Sequence, residues 1–295
     1  MADSDDTTSD DTTSGGEGFG AKVAAAVALT GPLCAGVDPS AELLADWGLS
    51  DDGAGLRQFG LRCVEAFAGV VPVIKPQVAF FERCGSAGLA ALESLLEEAR
   101  SAGLLVIADA KRGDIGSTME AYARAWLDPH SPLRADAVTA APYLGLGALQ
   151  PMIDLAGSTG RGVLVVCRSS NPEGRSLQEA RTDGGRGPTV EDMLLSGIAE
   201  LNRGGPVPPG TVGAVVGATL GPSEFRLAGL GGVILAPGVG AQGGTAVGVG
   251  ALFGECPPGS VLASSSRSLL TRGPEVSALS EAAMKARDEM ADVLG

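Results

Sequence analysis

The chain has 295 residues, of which 44% are hydrophobic and 19% are charged, and its formal net charge is −14. Binding to duplex nucleic acid depends on many Lys and Arg side chains that neutralise phosphates, so this acidic balance argues against a nucleic-acid partner. The five cysteines include no CxxC pair. The chain shows no signal-peptide pattern and no apolar run of about 20 residues. We therefore expect a cytoplasmic protein with no membrane partner.

The first 18 residues form an acidic, low-complexity segment with six carboxylates and no basic residue. Such a segment has too little apolar surface to bury to offset the entropy of ordering. We expect residues 1–18 to be a disordered tail and residues 19–295 to form one domain.

Eight short apolar runs follow this tail, each bounded by Gly, Pro or polar residues. They predict strands over 33–38, 70–75, 104–111, 137–143, 162–170, 213–219, 232–239 and 261–265. Helical patterns separate them over 55–68, 86–102, 117–127, 145–157, 190–202 and 222–228, with a short helix after the seventh strand and a last one over 275–294.

Eight strand–helix units predict an α/β fold, a (β/α)8 TIM barrel, with a doubly wound sheet as the alternative. The active site of such a barrel lies at the C-terminal ends of its strands. Polar or Gly-rich breaks follow the apolar runs there: Asp38, Lys75, Asp109, Lys111, Ser170, the 237–244 loop and Arg267.

The most informative of these breaks follows the third strand. Asp109 and Lys111 share a face because residues i and i+2 of a strand do; Asp114 lies just beyond, and Lys75 ends the preceding strand. Alternating charges hold one another ionised. A carboxylate beside a substrate anion favours its loss, and an ammonium stabilises and protonates the resulting carbanion. This pattern predicts decarboxylation without a metal or cofactor; a structural ion-pair network is the alternative.

A phosphate site is predicted at the seventh and eighth strands. The glycines of the 237–244 loop allow backbone N–H groups to converge on an anion. Arg267 can donate two parallel hydrogen bonds to a phosphate. The loops after these two strands often bind phosphate in such barrels. The single histidine, His130, lies in a Pro-flanked loop, which indicates a surface residue and argues against His triads and multi-His zinc sites.

The segment Asp109-Ala-Lys111-Arg-Gly-Asp114-Ile115-Gly-Ser-Thr118 resembles the DxKxxDI signature of the orotidine 5′-phosphate decarboxylase family. Segments 74–82, 141–145, 170–174 and 236–244 are similar to its longer bacterial, mycobacterial-type (type 2) branch. The resemblance covers roughly residues 18–290 and implies a cytoplasmic, cofactor-free homodimer of TIM barrels that converts orotidine 5′-phosphate to UMP and CO2 in pyrimidine biosynthesis.

The resemblance also implies the role of each site residue. Lys111 would protonate C6 of the pyrimidine, Asp109 would lie beside the departing carboxylate, and Lys75 would bind Asp109 and the ribose. A partner subunit would supply Asp114, Ile115 and Thr118 across the interface. The remaining substrate contacts would be Asp38 to the ribose, Ser170 to the pyrimidine, and Pro237, Gly238, Gly240, Gln242, Gly243 and Arg267 around the phosphate.

Two residues depart from the family pattern, Ala141 where many members have Asn and Ser266 where Gly is usual in the shorter branch. The role of the 171–190 loop stays open. One rival function is a Mg²⁺-dependent decarboxylase of a sugar-acid phosphate, with Glu82 or Asp38 as an additional metal ligand. Others are a Schiff-base aldolase and a non-catalytic nucleotide-binding relative.

Overall fold

The computed structural model describes residues 17–204, 207, 208, 210–221 and 226–295. Its eight strands pair in parallel, in sequence order, and close into a barrel through the pairing of the first strand with the last. The strands are β1 (Leu33–Val37), β2 (Val73–Pro76), β3 (Leu105–Arg112), β4 (Ala137–Ala140), β5 (Gly162–Arg168), β6 (Val212–Val216), β7 (Ile234–Pro237) and β8 (Val261–Ser265). The predicted (β/α)8 barrel in a single domain is confirmed.

Helices cover the outside of the barrel. They are α1 (Phe19–Thr30), α2 (Ala41–Asp46), α3 (Gly53–Phe67), α4 (Val78–Glu82), α5 (Gly85–Ser101), α6 (Gly116–Leu127), α7 (Gln150–Thr159), α8 (Arg175–Gln178), α9 (Val190–Asn202), α10 (Ala246–Phe253), α11 (Arg267–Leu270) and α12 (Val276–Leu294). No helix in the described ranges has the length and apolar character needed to cross a bilayer.

The helix α1 covers the N-terminal end of the barrel. Its buried residues Phe19, Val23 and Val27 form one cluster with inward-facing strand residues such as Ile107. The Phe19 ring packs so closely on Gly162 that a Cβ at position 162 would lie 2.3 Å from it. Because α1 fills this end, the strands' C-terminal ends form the open mouth.

Several predicted boundaries are wrong by a few residues, each for a local reason. The strand predicted over 70–75 begins at Val73, because Val70 and Val71 donate their backbone N–H groups to Phe67 and so complete the end of α3. The strand predicted over 137–143 ends at Ala140, two residues before Pro142.

Two predictions concern residues that lie partly outside the described chain. Residues 1–16 of the predicted tail lie outside it, so the tail stays a prediction. Residues 222–225 of the helix predicted over 222–228 also lie outside it, and the described part, 226–228, is not helical. His130 is exposed in a loop, as expected.

Candidate active site

The mouth of the barrel contains a cavity of about 300 Å³. Val166, Val215 and Leu235, from β5, β6 and β7, give part of its lining an apolar character. Charged side chains from other strand ends also line it: Asp38, Lys75, Asp109, Lys111 and Arg267. Five sequence-predicted residues from distant parts of the chain are therefore brought to one cavity.

The carboxylate of Asp109 lies between two ammonium groups. Its Oδ2 accepts a hydrogen bond from Lys75 Nζ at 3.1 Å, and its Oδ1 accepts one from Lys111 Nζ at 2.6 Å. The side chains of Lys75 and Asp109 are 7% and 9% exposed, whereas that of Lys111 is 49% exposed. Lys75, Asp109 and Lys111 together form a charged row. Within this charged row, Lys111 is the residue that a ligand in the cavity can reach most easily.

Two neutral donors complete the shell of Asp109. Gln77 Nε2 donates to Oδ2 at 3.0 Å, and Thr139 Oγ1 donates to Oδ1 at 2.9 Å. Each carboxylate oxygen therefore receives one hydrogen bond from an ammonium and one from a neutral group. A carboxylate held at both oxygens is fixed in orientation before any substrate arrives.

These contacts determine the charges of the buried pair. Burial alone would raise the pKa of Asp109, but Lys75 and Lys111 outweigh it and hold that pKa well below the usual range of a carboxyl. Burial would likewise lower the pKa of Lys75, and the carboxylates of Asp38 and Asp109 reverse this shift and raise the pKa. Both side chains are therefore charged at neutral pH.

Asp38 follows β1 and faces the same cavity. Its Oδ1 lies 4.0 Å from Lys75 Nζ, which is longer than a hydrogen bond. This oxygen is buried, and no described residue donates a hydrogen bond to it. A buried acceptor without a donor is costly, so the geometry favours a ligand hydroxyl at this point.

The predicted phosphate-binding residues divide into two groups. Pro237, Gly238, Gln242 and Arg267 line the cavity, whereas Gly240 and Gly243 do not. The N–H of Gly240 donates to Gly244 O and that of Gly243 to Gly240 O, both at 2.8 Å. The N–H groups of these two glycines therefore bond within the loop, whose turn they shape with φ values of 79° and 95°. Their role at a phosphate stays a prediction.

Ser170, which is predicted to contact a pyrimidine, also lines the cavity, beside Ser169. Ser169 is fixed by the following loop, because its N–H donates to Gln178 Oε1 at 3.1 Å and its hydroxyl accepts from Gln178 Nε2 at 2.9 Å. The segment after β5 therefore forms part of the wall of the site.

The family model described as "Orotidine 5'-phosphate decarboxylase / HUMPS family" matches residues 31–282. The chain belongs to this family. Its relatives include the orotidine 5′-phosphate decarboxylases of Salinispora arenicola, 53% identical over 90% of this chain and 95% of the relative, and of Streptomyces coelicolor, 50% identical over the same shares.

Solved structures of similar chains have the same fold. A crystal structure from Streptomyces avermitilis, named for the same enzyme, is 49% identical with a TM-score of 0.87 and covers 94% of this chain and 96% of that chain. The OMP decarboxylase of Leishmania donovani is 27% identical with a TM-score of 0.73, covering 94% and 98%. The relatives named here as orotidine 5′-phosphate decarboxylases are carboxy-lyases.

Ser266, one of the two departures from the family pattern noted in the sequence, packs against a glycine of β1. Ser266 lines the cavity next to Arg267. A Cβ at Gly36 would lie 2.5 Å from the Cβ of Ser266. Gly36 thus provides the space in which the Ser266 side chain lies, and Arg267 keeps its place at the cavity. Ala141, the other departure, does not line the cavity, and its N–H donates to Arg112 O at 2.8 Å.

The structure does not bring Asp114, Ile115 and Thr118 to the cavity of their own chain. Asp114 Oδ1 accepts the N–H of Ile115 at 2.8 Å and pairs with neither Lys75 nor Lys111. The side chain of Ile115 is 63% exposed at the start of α6. Lys75, Asp109 and Lys111 therefore meet within one chain, and Asp114 does not join them.

The sequence reasoning missed two contacts of Asp109, those from Gln77 and Thr139. Gln77 stands two residues after Lys75, so the same i, i+2 rule could have placed it at the strand's end. Nothing in the sequence pattern marks Thr139, because β4 reads as an ordinary apolar strand.

Proposed function

We propose that this protein converts orotidine 5′-phosphate to UMP and CO2 in pyrimidine biosynthesis without a metal or cofactor. The observation that carries the proposal is the Asp109 carboxylate, buried between the ammonium groups of Lys75 and Lys111 at the mouth of the barrel. The relatives' names and the family match support the same substrate.

The reaction breaks one bond and forms another at C6 of the pyrimidine. The substrate carboxylate lies beside Asp109, and two unit charges about 4 Å apart repel by roughly 4 kcal/mol at an effective dielectric of about 20. The C6–carboxyl bond breaks, its electron pair stays on C6, and CO2 leaves. Relief of that repulsion corresponds to about 10³-fold in rate if it is complete in the transition state.

Lys111 supplies the proton that replaces CO2. Its ammonium stabilises the negative charge on C6 and then donates a proton to that carbon, and the resulting amine takes up a proton from solvent. The exposure of Lys111 to the cavity supports this role, since Lys75 is buried against Asp109. Overall, one substrate and one proton give UMP and CO2.

The rest of the nucleotide binds along the cavity. Arg267 and Gln242, with Pro237 and Gly238, bind the phosphate. The unpartnered Oδ1 of Asp38 accepts a hydrogen bond from a ribose hydroxyl. Ser170 contacts the pyrimidine. Binding energy from the remote phosphate holds the reacting carboxylate against Asp109.

We propose further that the active protein is a homodimer in which a second copy supplies Asp114, Ile115 and Thr118. These residues do not line their own cavity. Large hydrophobic side chains are exposed in this chain, among them Ile115 itself at 63% and Tyr143 at 80%, and exposed apolar surface favours association. The unpaired cysteines support a cytoplasmic location.

The Mg²⁺-dependent rival needs a further acid at the site. Glu82, one candidate ligand, pairs with Arg112 and does not line the cavity. Asp109 already accepts four hydrogen bonds. The donor set therefore fits a charged organic substrate better than a metal.

The test follows the loss of orotidylate absorbance by the purified protein in excess EDTA, with and without added Mg²⁺. We expect equal turnover in both. Activity that requires Mg²⁺ would support the sugar-acid phosphate rival, and binding of UMP without turnover would support a non-catalytic relative.

A further inference from the structure

The hydroxyl of Thr139 contacts Asp109 and Lys111 from the neighbouring strand β4. Thr139 is on β4 and is 1% exposed. It does not line the cavity, so a substrate there does not touch it. Any contribution of Thr139 to the reaction must act through other residues.

Thr139 makes two hydrogen bonds, one with Asp109 and one with Lys111. Its Oγ1 donates to Asp109 Oδ1 at 2.9 Å and accepts the backbone N–H of Lys111 at 2.9 Å. The directions are fixed by chemistry, because an amide N–H only donates and an ionised carboxylate only accepts. One hydroxyl therefore links the backbone of the proton donor to the carboxylate.

The backbone at Lys111 needs such a link. Ala108 pairs with Val138 and Arg112 with Ala140, so residues 109–111 of β3 lie opposite the single residue Thr139. Lys111 has φ +46°, one of two non-glycine residues with positive φ in the described ranges. This conformation is unfavourable for a residue with a Cβ and persists only where surrounding contacts hold it. At this irregularity the N–H of Lys111 donates to the Thr139 hydroxyl, where a regular strand pair would offer a backbone carbonyl.

We propose that Thr139 is a positioning residue of the decarboxylase, whose hydroxyl holds the left-handed turn at Lys111 and the carboxylate plane of Asp109 in register for proton delivery. The inference rests on the proposed function. Without the hydroxyl, the N–H of Lys111 loses its partner and Oδ1 keeps only the ammonium of Lys111, so donor and carboxylate become free to shift together.

The experiment compares Thr139→Val, which keeps the shape, with Thr139→Ser, which keeps the hydroxyl. We expect Val to lower kcat for orotidine 5′-phosphate by about 10- to 100-fold, the effect of one lost hydrogen bond to a charged group. KM should stay near wild type, because the phosphate and ribose contacts remain. Ser should stay within about threefold of wild-type kcat, since it restores both hydrogen bonds.

Thr211→Val is the matched control. Thr211 is also 1% exposed, and its hydroxyl donates to Pro208 O at 2.7 Å, at the start of β6 and away from the mouth. We expect this variant to lose folding stability in urea but to keep kcat. UMP binding confirms a folded site in every variant, and Thr139→Ala replaces Val should Val not fold.

Wild-type kcat in Thr139→Val, or equal losses in the Val and Ser variants, overturns this inference while leaving the proposed function intact. Absence of turnover in the wild-type protein overturns both. A kcat loss in Thr211→Val equal to that in Thr139→Val would reduce Thr139 to a general packing role and also overturns the inference.

Discussion

Asp109 shows at the scale of one residue how opposing effects decide a charge. Burial disfavours the ionised carboxylate, yet two ammonium groups and two neutral donors stabilise it more strongly. The i, i+2 rule predicted that Asp109 and Lys111 meet. It could not predict the left-handed turn at Lys111, because the N–H of that turn bonds to the Thr139 hydroxyl of the next strand, which is distant in sequence.

The depressed pKa of Asp109 makes stability depend on pH. Above pH about 4, Asp109 is ionised in the unfolded chain as well, so its pairing contributes fully. Below that pH the unfolded chain binds a proton that the folded chain does not, and the contribution is lost as the pH falls towards the folded pKa. We expect the difference in unfolding free energy between wild type and Asp109→Asn to shrink from pH 5 to pH 3 in urea titrations.

Asp46→Asn, at an exposed position in α2, is the matched control for the substitution. A difference between wild type and Asp109→Asn that stays constant over this pH range would refute the pairing.

A second prediction concerns Gly36 and Ser266. Alanine at Gly36 would place a Cβ 2.5 Å from that of Ser266, so we expect Gly36→Ala to cost about 1–3 kcal/mol of folding free energy. Adding Ser266→Gly should recover most of this loss, as measured by a double-mutant cycle in urea. Additive losses in the double variant would show that the two positions do not interact.

At the scale of an element, the segment after β5 is attached to the barrel by a buried arginine. Arg168 is 3% exposed, and its guanidinium bonds to Glu179 and, at 3.1 Å, to Glu191 Oε2 at the start of α9. Because Gln178 of the same segment holds Ser169, this attachment sets one wall of the cavity. The sequence left the role of the 171–190 loop open, since a paired buried charge cannot be distinguished from a surface charge by spacing alone.

We expect Arg168→Met to release this segment without unfolding the barrel. Trypsin should then cleave after Arg175, Arg181 or Arg186 faster than in wild type, and KM should rise because Ser169 and Ser170 lose their support. Arg272→Met, at an exposed position after α11, should leave cleavage in the segment unchanged. Resistance of Arg168→Met equal to wild type would contradict the attachment.

The strands and most long helices were predictable because their apolar periodicity is strong, as in α9 over Val190–Asn202. The 12-residue helix α1 was not predicted. The short helices α2 and α4 were not, because each has one or two turns and depends on tertiary contacts for its stability. The amides of Gly240 and Gly243 were assigned to a phosphate because sequence alone cannot show that the loop uses them itself.

At the scale of the whole molecule, the proposed dimer places the two halves of each site on different chains. We expect Lys111→Ala and Asp114→Ala to be inactive alone. Mixed and allowed to exchange subunits, they should recover about a quarter of wild-type activity, because half of the dimers are mixed and each has one intact site. No recovery, with exchange shown by labelled subunits, would mean that Asp114 acts within its own chain.

The most direct test of the charged row is the turnover of Lys111→Ala compared with that of Lys285→Ala, a lysine at an exposed position of α12. Loss of the proton donor and of its charge should lower kcat by at least about 10³-fold, while UMP still binds and Lys285→Ala matches wild type. A Lys111→Ala variant with kcat near that of Lys285→Ala would contradict the account.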